Sequence, residues 1–132
     1  MKKLINGFHH IGLKAADFKK SVAFYTGLGL TPVVGWGEGE KEIMMFDLGD
    51  GGRIELFASG GNESSENGKW IHLAMSVNDV DKAYQKALSL GAESITPPKV
   101  VDLDSRPYKM SINIAFVKGP DGEQIEFFKQ VK

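Results

Sequence analysis

Two histidines and two glutamates stand out because the chain repeats itself around them. His10-Ile-Gly-Leu-Lys-Ala-Ala-Asp17 matches His72-Leu-Ala-Met-Ser-Val-Asn-Asp79, each histidine opening an apolar stretch that ends in an aspartate. The offset is 62 residues (72 − 10), and Gly29 and Gly91 keep it. Asp50-Gly-Gly-Arg-Ile-Glu55-Leu-Phe57 matches Asp121-Gly-Glu-Gln-Ile-Glu126-Phe-Phe128 at an offset of 71 (126 − 55). The chain therefore reads as a duplicated module. Its second copy has nine extra residues (71 − 62) between histidine and glutamate. These are expected within 95–109, a stretch holding Pro97-Pro98 and Arg106-Pro107-Tyr108.

Strand side chains alternate between faces. In the first histidine strand, Ile11 and Leu13 share a face with His9, leaving His10, Gly12 and Lys14 on the other. In its counterpart, Leu73, Met75 and Val77 oppose His72, Ala74 and Ser76. Ile54 and Leu56 oppose Glu55, and Ile125 and Phe127 oppose Glu126. The polar set shares a second surface, where Gly12, Ala74 and Ser76 leave room. A carboxylate flanked by aliphatic residues is costly unless something neutralises it. Two at equivalent points of a repeat need one explanation, and a divalent cation supplies it. Two imidazoles and two carboxylates suit Zn, Ni, Co, Mn or Fe. On a six-coordinate ion they leave two positions open. His10, Glu55, His72 and Glu126 are thus the expected metal ligands.

The elements that must carry these residues follow from the same pattern. Asp17 and Asp79 are N-cap types. Phe18, Val22 and Tyr25 form a helical stripe running to Gly27 and Gly29. Val80, Ala83, Tyr84, Ala87 and Leu88 form another, closed by Gly91. Three strands should follow each helix, near 30–36, 42–48 and 53–58, and near 93–95, 110–117 and 124–131. Asp50-Gly51 and Asp121-Gly122 are hairpin signals. The expected fold is α+β, two βαβββ modules forming a cupped mixed sheet. It spans 5–130 as one domain, with module one at 5–59, a polar linker at 60–68 and module two at 69–130.

Bulk properties restrict the function. Hydrophobic residues are 42% and charged residues 25%, a globular balance in 132 residues. No cysteine is present, which removes disulfides, thiolate ligands and a cysteine nucleophile. The net charge is −1 with Lys and Arg scattered, so neither nucleic acid nor an anionic membrane is an expected partner. Met1-Lys2-Lys3-Leu4-Ile5-Asn6 holds no apolar leader. A cytoplasmic location is expected.

The motifs His10-Ile-Gly-Leu, Gly52-Arg-Ile-Glu55-Leu, Ile71-His72-Leu-Ala-Met-Ser-Val77 and Gly119-Pro-Asp-Gly-Glu-Gln-Ile-Glu126-Phe resemble those of the vicinal oxygen chelate superfamily. This superfamily includes glyoxalase I, methylmalonyl-CoA epimerase, fosfomycin-resistance thiol transferases, extradiol dioxygenases and bleomycin-binding proteins. The resemblance covers about residues 5–129. It implies a cupped sheet around one divalent ion, a small-molecule substrate and a homodimer. The site would lie within one chain or be shared between two. The two-His, two-Glu set is most similar to that of glyoxalase I (lactoylglutathione lyase), whereas methylmalonyl-CoA epimerases often carry an amide where Glu55 stands. That likeness implies a lyase or isomerase moving a proton through a metal-bound enediolate. Glu126 would be the base and Glu55 its counterpart. The alternatives are a non-catalytic drug-binding resistance protein and a fosfomycin-type thiol transferase.

Substrate contacts are expected from fewer signals. Lys14 occupies the position where glyoxalase I carries an arginine for a glutathione carboxylate, and it supplies charge without the bidentate fork. Arg106, Tyr108 and Lys109 sit in the inserted stretch. His9 has the wrong parity for a ligand and is expected to pack. Gly35-Trp36-Gly37-Glu38-Gly39 is expected to be a hairpin connection, since no helix follows it as a phosphate loop requires. Trp36, Met44, Phe46 and Trp70 are candidates for a cavity wall or for packing.

Overall fold

A computed structural model describes residues 3–59, 70–119 and 122–131; the expected linker at 60–68 lies outside them. The chain divides into two compact units. One comprises His10–Ile71 and Asp104–Lys109, and the other Met1–His9, His72–Leu103 and Met110–Lys132. The division falls inside β1 (Ile5–Lys14), between His9 and His10.

The His10 unit continues from β1 into α1 (Phe18–Leu28), β2 (Thr31–Trp36), β3 (Ile43–Asp47) and β4 (Arg53–Phe57). Its strands lie in the order β2-β3-β4-β1, with β1 and β4 parallel and the other pairs antiparallel. The His72 unit holds β5 (Trp70–Val77), α2 (Val80–Ser89), β6 (Glu93–Leu103), β7 (Met110–Lys118) and β8 (Gln124–Gln130). Its order is β5-β8-β7-β6, again with one parallel pair, β5 and β8. Eight strands and two helices thus form two βαβββ modules of mixed sheet, the expected α+β class.

The repeat extends to single hydrogen bonds. Asp17 Oδ1 accepts from the Lys20 amide at 3.2 Å, and Asp79 Oδ1 from the Lys82 amide at 3.0 Å. Each caps a helix start by satisfying an amide that has no partner within the helix. Both helices end on a left-handed glycine, Gly29 at φ 108° and Gly91 at φ 102°. The following amides, of Leu30 and Ala92, reach back to the Tyr25 and Ala87 carbonyls at 3.0 Å. The β3–β4 and β7–β8 connections also correspond, with Leu48 N bonded to Gly52 O at 2.8 Å and Gly119 N to Glu123 O at 2.9 Å.

The apolar strand faces pack under the helices as alternation requires. Leu13, Phe46, Ile54 and Leu56 are buried against Phe18, Val22 and Tyr25 in one unit. Ala115, Val117 and Phe127 are buried with Val77, Val80, Ala83 and Tyr84 in the other.

The expected bounds of one strand need correction. The strand expected at 93–95 runs to Leu103, eleven residues against six in β2. Pro97-Pro98 does not end it because β6 is last in its strand order and its register slips between Thr96 and Lys99. An edge strand with an irregularity tolerates missing amide donors.

Candidate metal centre

Each module brings its histidine and glutamate together by the same register. Gly12, two residues after His10, is the Cα partner of Glu55 across β1/β4. Ala74, two residues after His72, is the partner of Glu126 across β5/β8. The glutamate is therefore a diagonal neighbour of its histidine on one face, across a small residue that lets the longer side chains lean together. His10 Nε2 lies 2.9 Å from a Glu55 carboxylate oxygen, and His72 Nε2 lies 3.3 Å from Glu126 Oε1. All four are buried, with His10 at 0% and none above 8% exposure.

Apolar side chains shield both pairs. Met45 is the Cα partner of Glu55 across β3/β4 and is fully buried. Phe116 is the partner of Glu126 across β7/β8. Its ring stands edge-on to His72, with centroids 5.4 Å apart. Buried carboxylates in such surroundings require a cationic partner. The donors are nitrogen and oxygen without sulfur, the chemistry of a borderline or hard divalent ion. Each unit thus holds one buried imidazole–carboxylate pair, His10 with Glu55 and His72 with Glu126, whose donors could ligate a metal ion.

The remaining expected site residues are placed as follows. Lys14 ends β1 opposite Phe57 and shares the His10 face by alternation. Arg106 and Tyr108 are exposed and lie in Asp104–Lys109, which groups with the first module although it follows β6 in sequence. The Arg106 and Gly35 backbones exchange two hydrogen bonds, at 2.7 and 2.8 Å. The Tyr108 carbonyl accepts from Ser105 Oγ at 2.8 Å. Phe46 is fully buried core, Met44 packs against that core, and Trp70 is exposed. Gly35–Gly39 does connect β2 to β3, through a short 3-10 turn at Gly39–Lys41.

Met45 and Phe116 escaped the sequence reading because cross-strand register sets their place. His9 packs, as expected, but not on the expected face. It stacks on Phe128 with centroids 4.0 Å apart, and Phe128 shares the face of Glu126 by alternation along β8. The unit division crosses β1 at this point, between His9 and His10.

Paired βαβββ units, each with a buried imidazole–carboxylate pair on the sheet face away from its helix, define the class as a two-module α+β protein with a candidate metal centre. The chain belongs to the Glyoxalase/Bleomycin resistance protein/Dioxygenase superfamily, whose model matches residues 7–127. It is similar to the uncharacterized protein YwbC of Bacillus subtilis, at 29% identity over 92% of this chain and 95% of that one. Its fold is shared with methylmalonyl-CoA epimerase from Mycobacterium tuberculosis (TM-score 0.74, 19% identity, 100% of this chain and 93% of that one). A variant of 4-hydroxymandelate synthase from Streptomyces coelicolor also shares it (TM-score 0.62, 10% identity, 98% of this chain and 64% of that one). At such identities the likeness concerns the fold alone, and the reaction must be argued from the site.

Proposed function

We propose that this chain is a metal-dependent isomerase or lyase of glyoxalase I type, moving a proton on a small oxygenated substrate. One observation carries the reading: a buried His–Glu pair occurs at the same register in both modules. In this reading His10, Glu55, His72 and Glu126 hold one divalent ion. When bound, the ion supplies Lewis acidity to a substrate oxygen. Glu126 takes the proton from the carbon beside the carbonyl and returns it to the neighbouring carbon or to the opposite face of the same one, so no outside oxidant or reductant is needed. Glu55 is its counterpart. Phe116 and Met45 keep water from the two carboxylates. Lys14, Arg106 and Tyr108 contact substrate.

The superfamily supports this reading, because its members are often metal-dependent enzymes that bind small molecules and form dimers. We assign the chain a homodimeric state and a cytoplasmic location on the same basis. Among the described residues no helix is long and apolar enough to cross a membrane. A non-catalytic drug-binding role leaves the two buried carboxylates without a purpose.

The test is elemental analysis of purified protein, followed by turnover of the glutathione hemithioacetal of methylglyoxal and of a 2-methylmalonyl thioester. One ion per chain and turnover lost in Glu126→Gln are expected. Substoichiometric metal after supply of Ni, Co, Mn or Zn, or an active Glu126→Gln variant, would end the proposal.

A further inference from the structure

We propose that Arg106 and the pocket beside it bind an organic anion, a carboxylate carried on an apolar body of about one six-membered ring. This deepens the substrate role given to Arg106 above and rests on it. The pocket has a volume of about 170 Å³, with Pro32, Val33, Val34, Met44 and Pro107 as its apolar walls and, among the described residues, Arg106 as its one charged lining residue. A cavity of roughly 150 Å³ with apolar walls accepts benzene, so the space is large enough for one ring.

The cation is held in place but not neutralised. Two backbone hydrogen bonds, Arg106 N to Gly35 O at 2.7 Å and Gly35 N to Arg106 O at 2.8 Å, fix its segment to β2. Its Nη2 donates to the Gly37 carbonyl at 3.3 Å. That carbonyl is itself constrained: Gly37 sits at φ 78°, and a Cβ there would collide with the Lys41 carbonyl. A guanidinium has five N–H donors, and a neutral carbonyl occupies one without cancelling the charge. Among the described residues no carboxylate lies within ion-pair distance of Arg106, and Asp104 in the same segment is paired with Lys109 at 3.5 Å. An oriented guanidinium with donors to spare matches a carboxylate in a bidentate way. The apolar walls supply burial for what the carboxylate is attached to.

The nine extra residues of the second module lie in its longer strands, β6 and β7 having eleven and nine residues against six and five in β2 and β3. Arg106 lies in the connection after β6 and is bridged to Gly35 of β2, the edge strand of the first module's order.

The test uses chelator-treated, isotope-labelled full-length protein at fixed ionic strength, so that no bound metal takes up the probe. Benzoate is titrated while the amide signals of Gly35, Gly37 and Arg106 are followed by NMR, with benzyl alcohol as the neutral control. Saturable shifts at these three amides are expected for benzoate, with benzyl alcohol about tenfold weaker or worse. Arg106→Gln keeps the backbone bridge and is expected to lose about tenfold in benzoate affinity, with Arg106→Lys in between. Non-saturable shifts, equal binding of benzyl alcohol, or unchanged affinity in Arg106→Gln would overturn the proposal. Because the protein is metal-free, that result leaves the metal chemistry untouched, and an inactive or metal-free enzyme leaves this site untouched.

Discussion

The ring of Phe116 meets the imidazole of His72 edge-on, centroids 5.4 Å apart and planes at 90°, while its backbone stands directly opposite Glu126. One apolar residue thus touches one member of the His72–Glu126 pair and covers the other. Phe116→Ala leaves a cavity at a position only 6% exposed and is expected to cost about 3–5 kcal/mol of stability. It also frees the imidazole to turn, so metal affinity should fall by about tenfold or more, the range seen when groups that orient a ligand are lost. Phe116→Leu restores most of the volume but not the ring edge. Urea unfolding should show it close to the parent, within about 1.5 kcal/mol, while a metal titration still shows weakened binding. Parent-like metal affinity in both variants would limit Phe116 to packing.

Glu55→Gln should change sign with metal. In metal-free protein the substitution removes a buried charge beside His10 and leaves an amide oxygen able to accept from the imidazole. Stability is then expected to hold or rise, because a desolvated carboxylate offsets much of what its ion pair contributes. In metal-loaded protein the same change deletes an anionic ligand and should lower the melting temperature. Glu126→Gln should follow the same pattern and lose about 10²–10⁴ in turnover. Thermal melts with and without chelator check both variants. A drop of equal size in the two conditions would mean that the carboxylates serve the fold alone.

The parts of this molecule that could be read from sequence are those governed by local rules. Asp17 and Asp79 announce helix starts because a side-chain cap acts over three residues, and both caps form. Gly29 and Gly91 announce the ends for the same reason. The His–Glu pairs were legible because duplication shows twice what one copy shows weakly. Relations between strands were not legible. Nothing local to Pro97-Pro98 says that β6 lies at an edge, where prolines are tolerated. Nothing near Arg106 names Gly35 as its partner, 71 positions away (106 − 35). Met45 and Phe116 join the site only through registers that the spacing of residues leaves open.

The two caps give a controlled comparison. Asp17→Ala and Asp79→Ala each remove the acceptor for one orphan amide, and each is expected to cost about 1 kcal/mol. Neither residue belongs to the proposed metal site, so metal stoichiometry should stay at the parent value. Denaturant midpoints and elemental analysis test the two halves of this expectation together. A cap variant that loses metal while remaining folded would contradict the separation of helix face and site face argued above.

Gly37 and Gly51 separate backbone strain from collision. Both have positive φ, 78° and 94°, so alanine is strained at either. At Gly51 an added Cβ meets nothing within 4 Å, and Gly51→Ala should cost only the conformational strain, about 1 kcal/mol. At Gly37 the same atom would run into the Lys41 carbonyl, in the turn that returns β2 to β3. The backbone there must move, and Gly37→Ala is expected to exceed Gly51→Ala by about 1–2 kcal/mol in urea unfolding. The movement displaces the carbonyl that holds the Arg106 guanidinium. Benzoate binding should therefore weaken in Gly37→Ala and not in Gly51→Ala. Equal stability losses would show that the turn absorbs the extra atom without shifting. Unchanged benzoate affinity in a destabilised Gly37→Ala would show that the Arg106 guanidinium does not depend on that carbonyl for its orientation.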